Sequence, residues 1–238
     1  MRRAVSLCGV FLAIFLSGQA WSADDGFVLR FGVGHATPSG GLTESASFSG
    51  MDLGNGTMLA FDGSIAIEPQ EAPVLALGFE YRVNGRFGID ASLLRANTDL
   101  DGRLNGTYWI NDSMTGELIE TGPLNATQEV GDLDVTPLTV AANFHLTPKS
   151  KADFYLAPVV GYMFYGDLDL MGEKASVKSA FAWGAAAGVD IPVGKGRWLI
   201  NAALRYLESE VELDEPGAVG GASDMSLFAI QVGAGYRF

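Results

Sequence analysis

Phe228-Ala229-Ile230-Gln231-Val232-Gly233-Ala234-Gly235-Tyr236-Arg237-Phe238 is the stretch that decides the fold. Side chains alternate between the two faces of a strand. Counted back from Phe238, one face carries Tyr236, Ala234, Val232, Ile230 and Phe228. The other carries Arg237, Gly235, Gly233, Gln231 and Ala229. The first set suits hydrocarbon and the second a packed polar interior, as the wall of an antiparallel membrane barrel requires.

The same parity recurs upstream. Leu75, Leu77, Phe79, Tyr81 and Val83 oppose Ala76, Gly78, Glu80 and Arg82. Trp198, Ile200, Ala202, Leu204 and Tyr206 oppose Leu199, Asn201, Ala203 and Arg205. Phe181, Trp183, Val189, Ile191 and Val193 oppose Gly184, Gly188 and Asp190, and Phe27, Leu29, Phe31 and Val33 oppose Arg30, Gly32 and Gly34. Eight strand-like segments follow, at about 26–36, 74–83, 87–97, 133–146, 153–166, 178–193, 197–211 and 225–238. Pro158 removes a ladder donor from the fifth, so a bulge or bend is expected there. The connectors alternate long and short. Four long ones (37–73, 98–132, 167–177, 212–224) separate three short ones, the first being the hairpin signal Asn84-Gly85-Arg86. The predicted fold is therefore all-β: an eight-stranded antiparallel transmembrane β-barrel with four long outer loops and three short periplasmic turns.

Composition agrees. Mean hydropathy is +0.20 and 48% of residues are hydrophobic. Past the N-terminal segment, no apolar run reaches the roughly 18 residues of a helical span. Net charge is −13, which argues against a nucleic-acid partner. Arg2-Arg3, an apolar Val5–Leu16 and small residues at Ser17, Gly18, Ala20 and Ser22 read as a secretory signal peptide over 1–22, cleaved after Ala20 or Ser22. The barrel domain then spans 24–238. Cys8 leaves with the signal, so disulfides, thiolate metal sites and a Cys nucleophile are excluded from the mature chain.

Parity points Arg30, Glu80, Arg82, Asp90, Asn143, Asn201, Arg205, Gln231 and Arg237 inward, with His145 near the periplasmic rim. An eight-stranded barrel is narrow enough for side chains to fill it, so this set reads as a polar plug rather than the lining of an ion channel. His35 and His145 lie far apart in sequence, and Leu146 follows His145 where a His-Ser pair of a lipid-A deacylase would need serine. No phosphate loop, His-Glu-x-x-His helix or nucleophile elbow is present. No catalytic residue, metal or cofactor is expected. The long connectors are acidic, with Glu44, Asp52, Asp62, Glu68, Glu71, Asp99, Asp101, Asp112, Glu117, Glu120, Glu129 and Asp132. That pattern reads as solvated charge, or as carboxylates bridged by divalent cations to lipopolysaccharide phosphates.

The second half of the chain resembles the OmpW family of small outer-membrane barrels. The resemblance rests on Asp134-Val135-Thr136-Pro137-Leu138-Thr139-Val140, Tyr155–Tyr162 with Pro158, Gly188-Val189-Asp190-Ile191-Pro192-Val193, Trp198–Tyr206 and the ending Gly233–Phe238, in that order and spacing. It implies an outward-opening hydrophobic pocket and passive uptake of small hydrophobic molecules, with lateral release through the wall. Leu199, Leu207, Leu227, Met51, Met58 and Trp109 are the candidates to line that pocket. The expected partners are outer-membrane lipid and lipopolysaccharide, small hydrophobic molecules, and the barrel assembly machinery, reading the terminal aromatic Phe238. The alternative is a structural or interaction barrel whose extracellular loops bind host, phage or lipopolysaccharide.

Overall fold

The computed structural model describes residues 26–170, 173–194, 196–211 and 223–238. The signal-peptide reading and Cys8 lie outside them. Twelve strands appear in chain order: β1 (Gly26–Ser39), β2 (Leu42–Gly54), β3 (Thr57–Pro69), β4 (Ala72–Asn84), β5 (Phe87–Asp112), β6 (Leu118–His145), β7 (Asp153–Tyr165), β8 (Asp167–Leu170), β9 (Glu173–Ser176), β10 (Ala180–Pro192), β11 (Trp198–Val211) and β12 (Ser223–Arg237). Eight close a ring in the order β1-β4-β5-β6-β7-β10-β11-β12. The ring shuts where β12 pairs antiparallel with β1, from Val28 opposite Arg237 to Ser39 opposite Ser226. Closure leaves no lipid-exposed edge, which is what allows strands to cross hydrocarbon at all. Among the described residues no helix is long and apolar enough to cross a membrane.

The outward face is the apolar half of the alternation. Phe31, Val33, Leu75, Leu77, Phe154, Leu156, Val160, Tyr162, Phe181, Trp183, Ile200 and Ile230 are all exposed around the wall. On β7 this face runs from Phe154 to Phe164. That is about 33 Å of strand, or about 25 Å of height at the usual tilt, the thickness of an outer-membrane apolar band. Three tight connections join strands on the side of β1's start and β12's end. In the first, Asn84 Oδ1 accepts the N–H groups of Arg86 and Phe87, both at 2.9 Å, and fixes the Asn-Gly turn.

Two expectations need correction. The first two long connectors are not irregular loops. β2 and β3 form a hairpin, and β5 and β6 run to 26 and 28 residues, far beyond the band. β3 pairs with the upper half of β5, so β2-β3-β5-β6 make a four-stranded extension of the wall. Its length from Ala96 to Asn111 is about 50 Å along the strand. The Asn55-Gly56 tip has φ of 59° and 75°, the pair of positive values a type I′ hairpin turn requires. The second correction concerns Pro158. It points to lipid and keeps register with Ala185 on β10. On its other side, pairing with β6 stops after Ala141–Val159 and resumes at Phe144–Leu156 in unchanged register. The proline interrupts the ladder, because it has no N–H to give β6, but inserts no residue.

Candidate functional site: a two-layer barrel interior

The lower interior, on the side of the short turns, is an ionic layer. Arg30 donates to Asp190 through Nε at 3.2 Å and Nη2 at 2.7 Å, pairs with Glu80, and reaches Asp90 at 3.5 Å. Arg82 donates to Asp153 and Asp190, each at 3.0 Å. His145 Nε2 lies 2.6 Å from Glu80 Oε1, and its Nδ1 lies 2.9 Å from Asp153 Oδ2, though poorly aligned for a hydrogen bond. Only a doubly protonated ring has a hydrogen for each carboxylate. Asn201 ties Asp190 (2.9 Å) to the Tyr155 hydroxyl (3.2 Å), and Arg205 donates to Thr139 Oγ1 at 2.8 Å. Glu80, Asp190 and His145 are 0% exposed.

Four arginines (Arg30, Arg82, Arg205 and Arg237) and four carboxylates (Glu80, Asp90, Asp153 and Asp190) share the layer, so its charge balances before the imidazole is counted, although Arg205 stands 3.9 Å from Asp90 and Arg237 makes no ion pair among the described residues. Such balance is what makes a buried charged plug tolerable: an unpaired ion in this medium costs several kcal/mol, and a paired, hydrogen-bonded one far less. Glycines make the room. A Cβ at Gly88 would stand 2.1 Å from Glu80 Oε1, and one at Gly188 would stand 2.3 Å from the Tyr155 ring.

Above the ions lies an apolar layer of Ala36, Val74, Leu94, Leu100, Val135, Val159, Met163, Leu207 and Leu227, packed on one another. Between the two layers sits a cavity of about 30 Å³. All eight barrel strands line it, including Asp90, Asn143, Arg205 and Gln231. It has room for about two waters, and the free Arg205 Nε and Gln231 Oε1 are suited to them. It is far below the several hundred Å³ of a small-molecule pocket.

Arg30, Glu80, Arg82, Asp90, Asn143, Asn201, Arg205 and His145 are buried, and Gln231 and Arg237 are half-buried. Asp153, Tyr155 and Asp190 join them at the centre of the network. They were readable from strand parity, but the ambiguity around Pro158 hid Tyr155, and Asp153 sat at a segment edge. The six candidate pocket residues do not come together. Leu207 and Leu227 face each other in the apolar layer. Leu199 is buried at the opposite end, its side chain against Gly235. Met51, Met58 and Trp109 lie on the extension near its tips. By register, Met51 shares the face that continues the barrel interior, while Met58 and Trp109 lie on the other. His145 does have two carboxylates within reach, but it is enclosed in ion pairs with no room for a substrate. His35 points outward at the upper rim, 2.8 Å from Glu71.

The extension has two unlike faces. The one continuing the barrel interior carries Leu59, Phe61, Ile65 and Ile67 of β3, opposite Ile110, Tyr108, Leu104 and Gly102 of β5. Phe48 of β2 stacks on Phe61 with ring centroids 5.5 Å apart. Ile67 packs directly on the apolar layer below, so the greasy face begins inside the barrel mouth. Phe48, Met51 and Ile65 remain exposed. The opposite face holds Asp62, Glu68, Asp99, Asp101 and Arg103, with Arg103 paired to Glu68 at 3.2 Å.

A closed ring with an apolar belt and short turns on one side is the layout of a known family, and residues 8–238 match the profile of the outer membrane protein beta-barrel domain. The chain belongs to that family. It is a protein of the bacterial outer membrane. No curated protein matches it in sequence. Among solved structures it is similar to the outer membrane protein OprG from Pseudomonas aeruginosa, at 17% identity over 91% of this chain and 96% of that one, with a TM-score of 0.54. It is also similar to Neisserial surface protein A, at 13% identity over 89% and 97%, again with a TM-score of 0.54. At these identities the likeness extends to the fold.

Proposed function

We propose that this family member is a sealed outer-membrane anchor whose working surface is the extracellular β-extension, with the apolar face as the part that binds. One observation carries the reading: an ionic and an apolar layer occupy the interior with a cavity of only about 30 Å³ between them, while exposed Phe48, Met51 and Ile65 stand on a sheet face rising from the mouth. The partner is an apolar surface presented outside the cell. Lipopolysaccharide and outer-membrane lipid surround the wall, and assembly into the membrane uses the strand ending in Phe238.

A second reading has its own support. The interrupted pairing at Pro158 and the continuity of the apolar face with the upper layer favour a conduit for small hydrophobic molecules with lateral release, in the manner of the OmpW family. One experiment separates the two. Cells expressing the wild type, an Ile65→Asp/Met51→Asp variant, or a chain with both outer hairpins shortened are tested for retention on octyl-coated beads and for toluene uptake. Retention by the wild type alone, with equal uptake in all, supports the interaction reading. Uptake that depends on the protein, without bead retention, sinks it in favour of the conduit.

A further inference from the structure

The short-turn rim carries four exposed cations: Arg86 in the β4–β5 turn, Lys149 and Lys151 in the β6–β7 turn, and Arg197 before β11. Among the described residues none has an ion-pair partner, whereas Arg95 and Arg103 on the outer side have carboxylate partners at 3.5 and 3.2 Å. Among the described residues no acidic side chain is exposed at this rim: Glu80, Asp90, Asp153 and Asp190, the carboxylates of the lower barrel, are all turned inward and buried. Asp24, Asp25 and Lys195 lie outside the described residues.

The cations are also held at a defined height. Arg86 precedes Phe87 and Arg197 precedes Trp198, and both aromatics are exposed on the lipid face. Aromatic girdles of this kind mark the interface, so the two guanidinium groups sit at headgroup level. The turn between β6 and β7 is built to present its lysines. Ser150 donates its N–H (3.0 Å) and its hydroxyl (2.8 Å) to Thr147 O, Thr147 Oγ1 donates to Ala152 O at 2.8 Å, and Phe154 N–H closes on Thr147 Oγ1 at 2.9 Å. Lys149 and Lys151 flank Ser150 and are both exposed. Arg86 is their neighbour, because His145 N–H donates to Arg86 O at 2.8 Å and places the first turn against the end of β6.

We infer that this rim binds the phosphate of anionic phospholipids in the inner leaflet, with Arg86, Lys149 and Lys151 as one cluster and Arg197 as a flanking contact. A cation meeting an anionic lipid surface gains about five-fold in lipid preference, and the gain is screened by salt. Lipid phosphate is favoured over a soluble polyanion because the cations adjoin the aromatic belt rather than a cleft or a groove.

The test uses the mature protein in phosphatidylcholine bilayers, with spin-labelled phosphatidylglycerol and phosphatidylcholine as probes. The wild type should prefer phosphatidylglycerol about five-fold or more at low salt, and lose most of the preference in 1 M NaCl. R86Q/K149Q/K151Q should lose the preference while keeping the heat-modifiable gel mobility of a folded barrel, and R95Q on the outer rim should behave as wild type. Equal association of the two lipids with the wild type, or an unchanged preference in the triple variant, overturns the inference. So does tighter binding of soluble polyglutamate than of phosphatidylglycerol vesicles.

Discussion

Replacing Asp190 by Asn tests whether the ionic layer holds the barrel together. Asp190 is wholly buried and accepts four hydrogen bonds: two from Arg30, one from Arg82 and one from Asn201. Asparagine keeps the shape, but it turns one acceptor into an NH₂ that faces donors and leaves four arginines opposite three carboxylates. Breaking a buried ion pair from one side costs about 3–5 kcal/mol, most of it the desolvation of the abandoned charge. With a urea slope of about 2–3 kcal/mol/M, the unfolding midpoint should fall by about 1–2.5 M. The assay is urea unfolding in lipid vesicles, followed by tryptophan fluorescence. Arg82→Gln in the same background restores the balance at three against three. Because the two groups touch, the double variant should be at least about 1 kcal/mol more stable than additivity allows. An unfolding free energy for Asp190→Asn within about 0.5 kcal/mol of wild type would refute the reasoning, since the layer would then be hydrated rather than dry. Simple additivity in the double variant would refute the pairing.

Gly188→Ala should destabilise the barrel by about 1–3 kcal/mol, because the new methyl meets the Tyr155 ring that lies over this strand; unfolding midpoints matching the wild type would show that the ring moves aside freely. At the second extension tip, Asp112 Oδ1 accepts the N–H groups of Met114 (2.9 Å) and Thr115 (2.8 Å) and the Thr115 hydroxyl, which holds its carboxyl below the ordinary aspartate range. A depressed folded value means that the support to the turn is complete above the ordinary aspartate pKa and disappears as pH falls through the lower, folded one. Amide exchange at 113–117 should therefore accelerate only in that acid window, and Asp112→Asn should remove the pH dependence. Pro158→Ala should restore a donor toward Ala142 and stabilise the wall by about 1 kcal/mol, read as a slowly exchanging amide at 158; a fast-exchanging alanine there would mean that the strands are held apart by something other than the missing N–H.

The ring of eight was legible because a period of two is a strong signal when one face meets lipid. The segment at 74–83 and the strand Ala72–Asn84 nearly coincide for this reason. The polar plug followed from the same parity, and so did Leu207 and Leu227 as interior residues. Parity does not report height. Leu199 and Leu207 share a face of β11, yet one lies below the ions and the other above them, so a pocket drawn from both was never one place. Nor does parity report where a wall ends. Arg95, Asn97 and Asp99 break the lipid-facing pattern of β5, and the strand continues because its partner on β3 supplies the ladder that water would otherwise satisfy. The Asn55-Gly56 pair carried the same hairpin signal as Asn84-Gly85, but the polar and small residues of 43–47 gave the strand before it no apolar alternation, which is why the connector read as a loop.

The two interior layers exclude different things, and this bears on how the protein can work. Ions reaching the lower layer meet Arg30 and Arg82 already paired with Glu80, Asp153 and Asp190, so a permeating ion gains little there and loses its hydration. Water reaching the upper layer finds Leu94, Leu207 and Leu227, and the Tyr165 hydroxyl beside Met163 is already bonded to Ser209. Opening either layer alone leaves the other shut. A hydrophobic molecule coming down the apolar face would be welcome as far as Ile67 and the upper layer, but it would meet Arg205, Asp90 and the small wet cavity next. Its only favourable continuation is sideways into lipid, across a wall whose pairing is interrupted at Pro158 between β6 and β7 and at Thr136-Pro137 between β5 and β6. The ionic layer therefore acts as a floor in both functional readings. What distinguishes them is whether the wall at Pro158 moves, and the interruption by itself, with register preserved on both sides, gives no reason for it to open at rest.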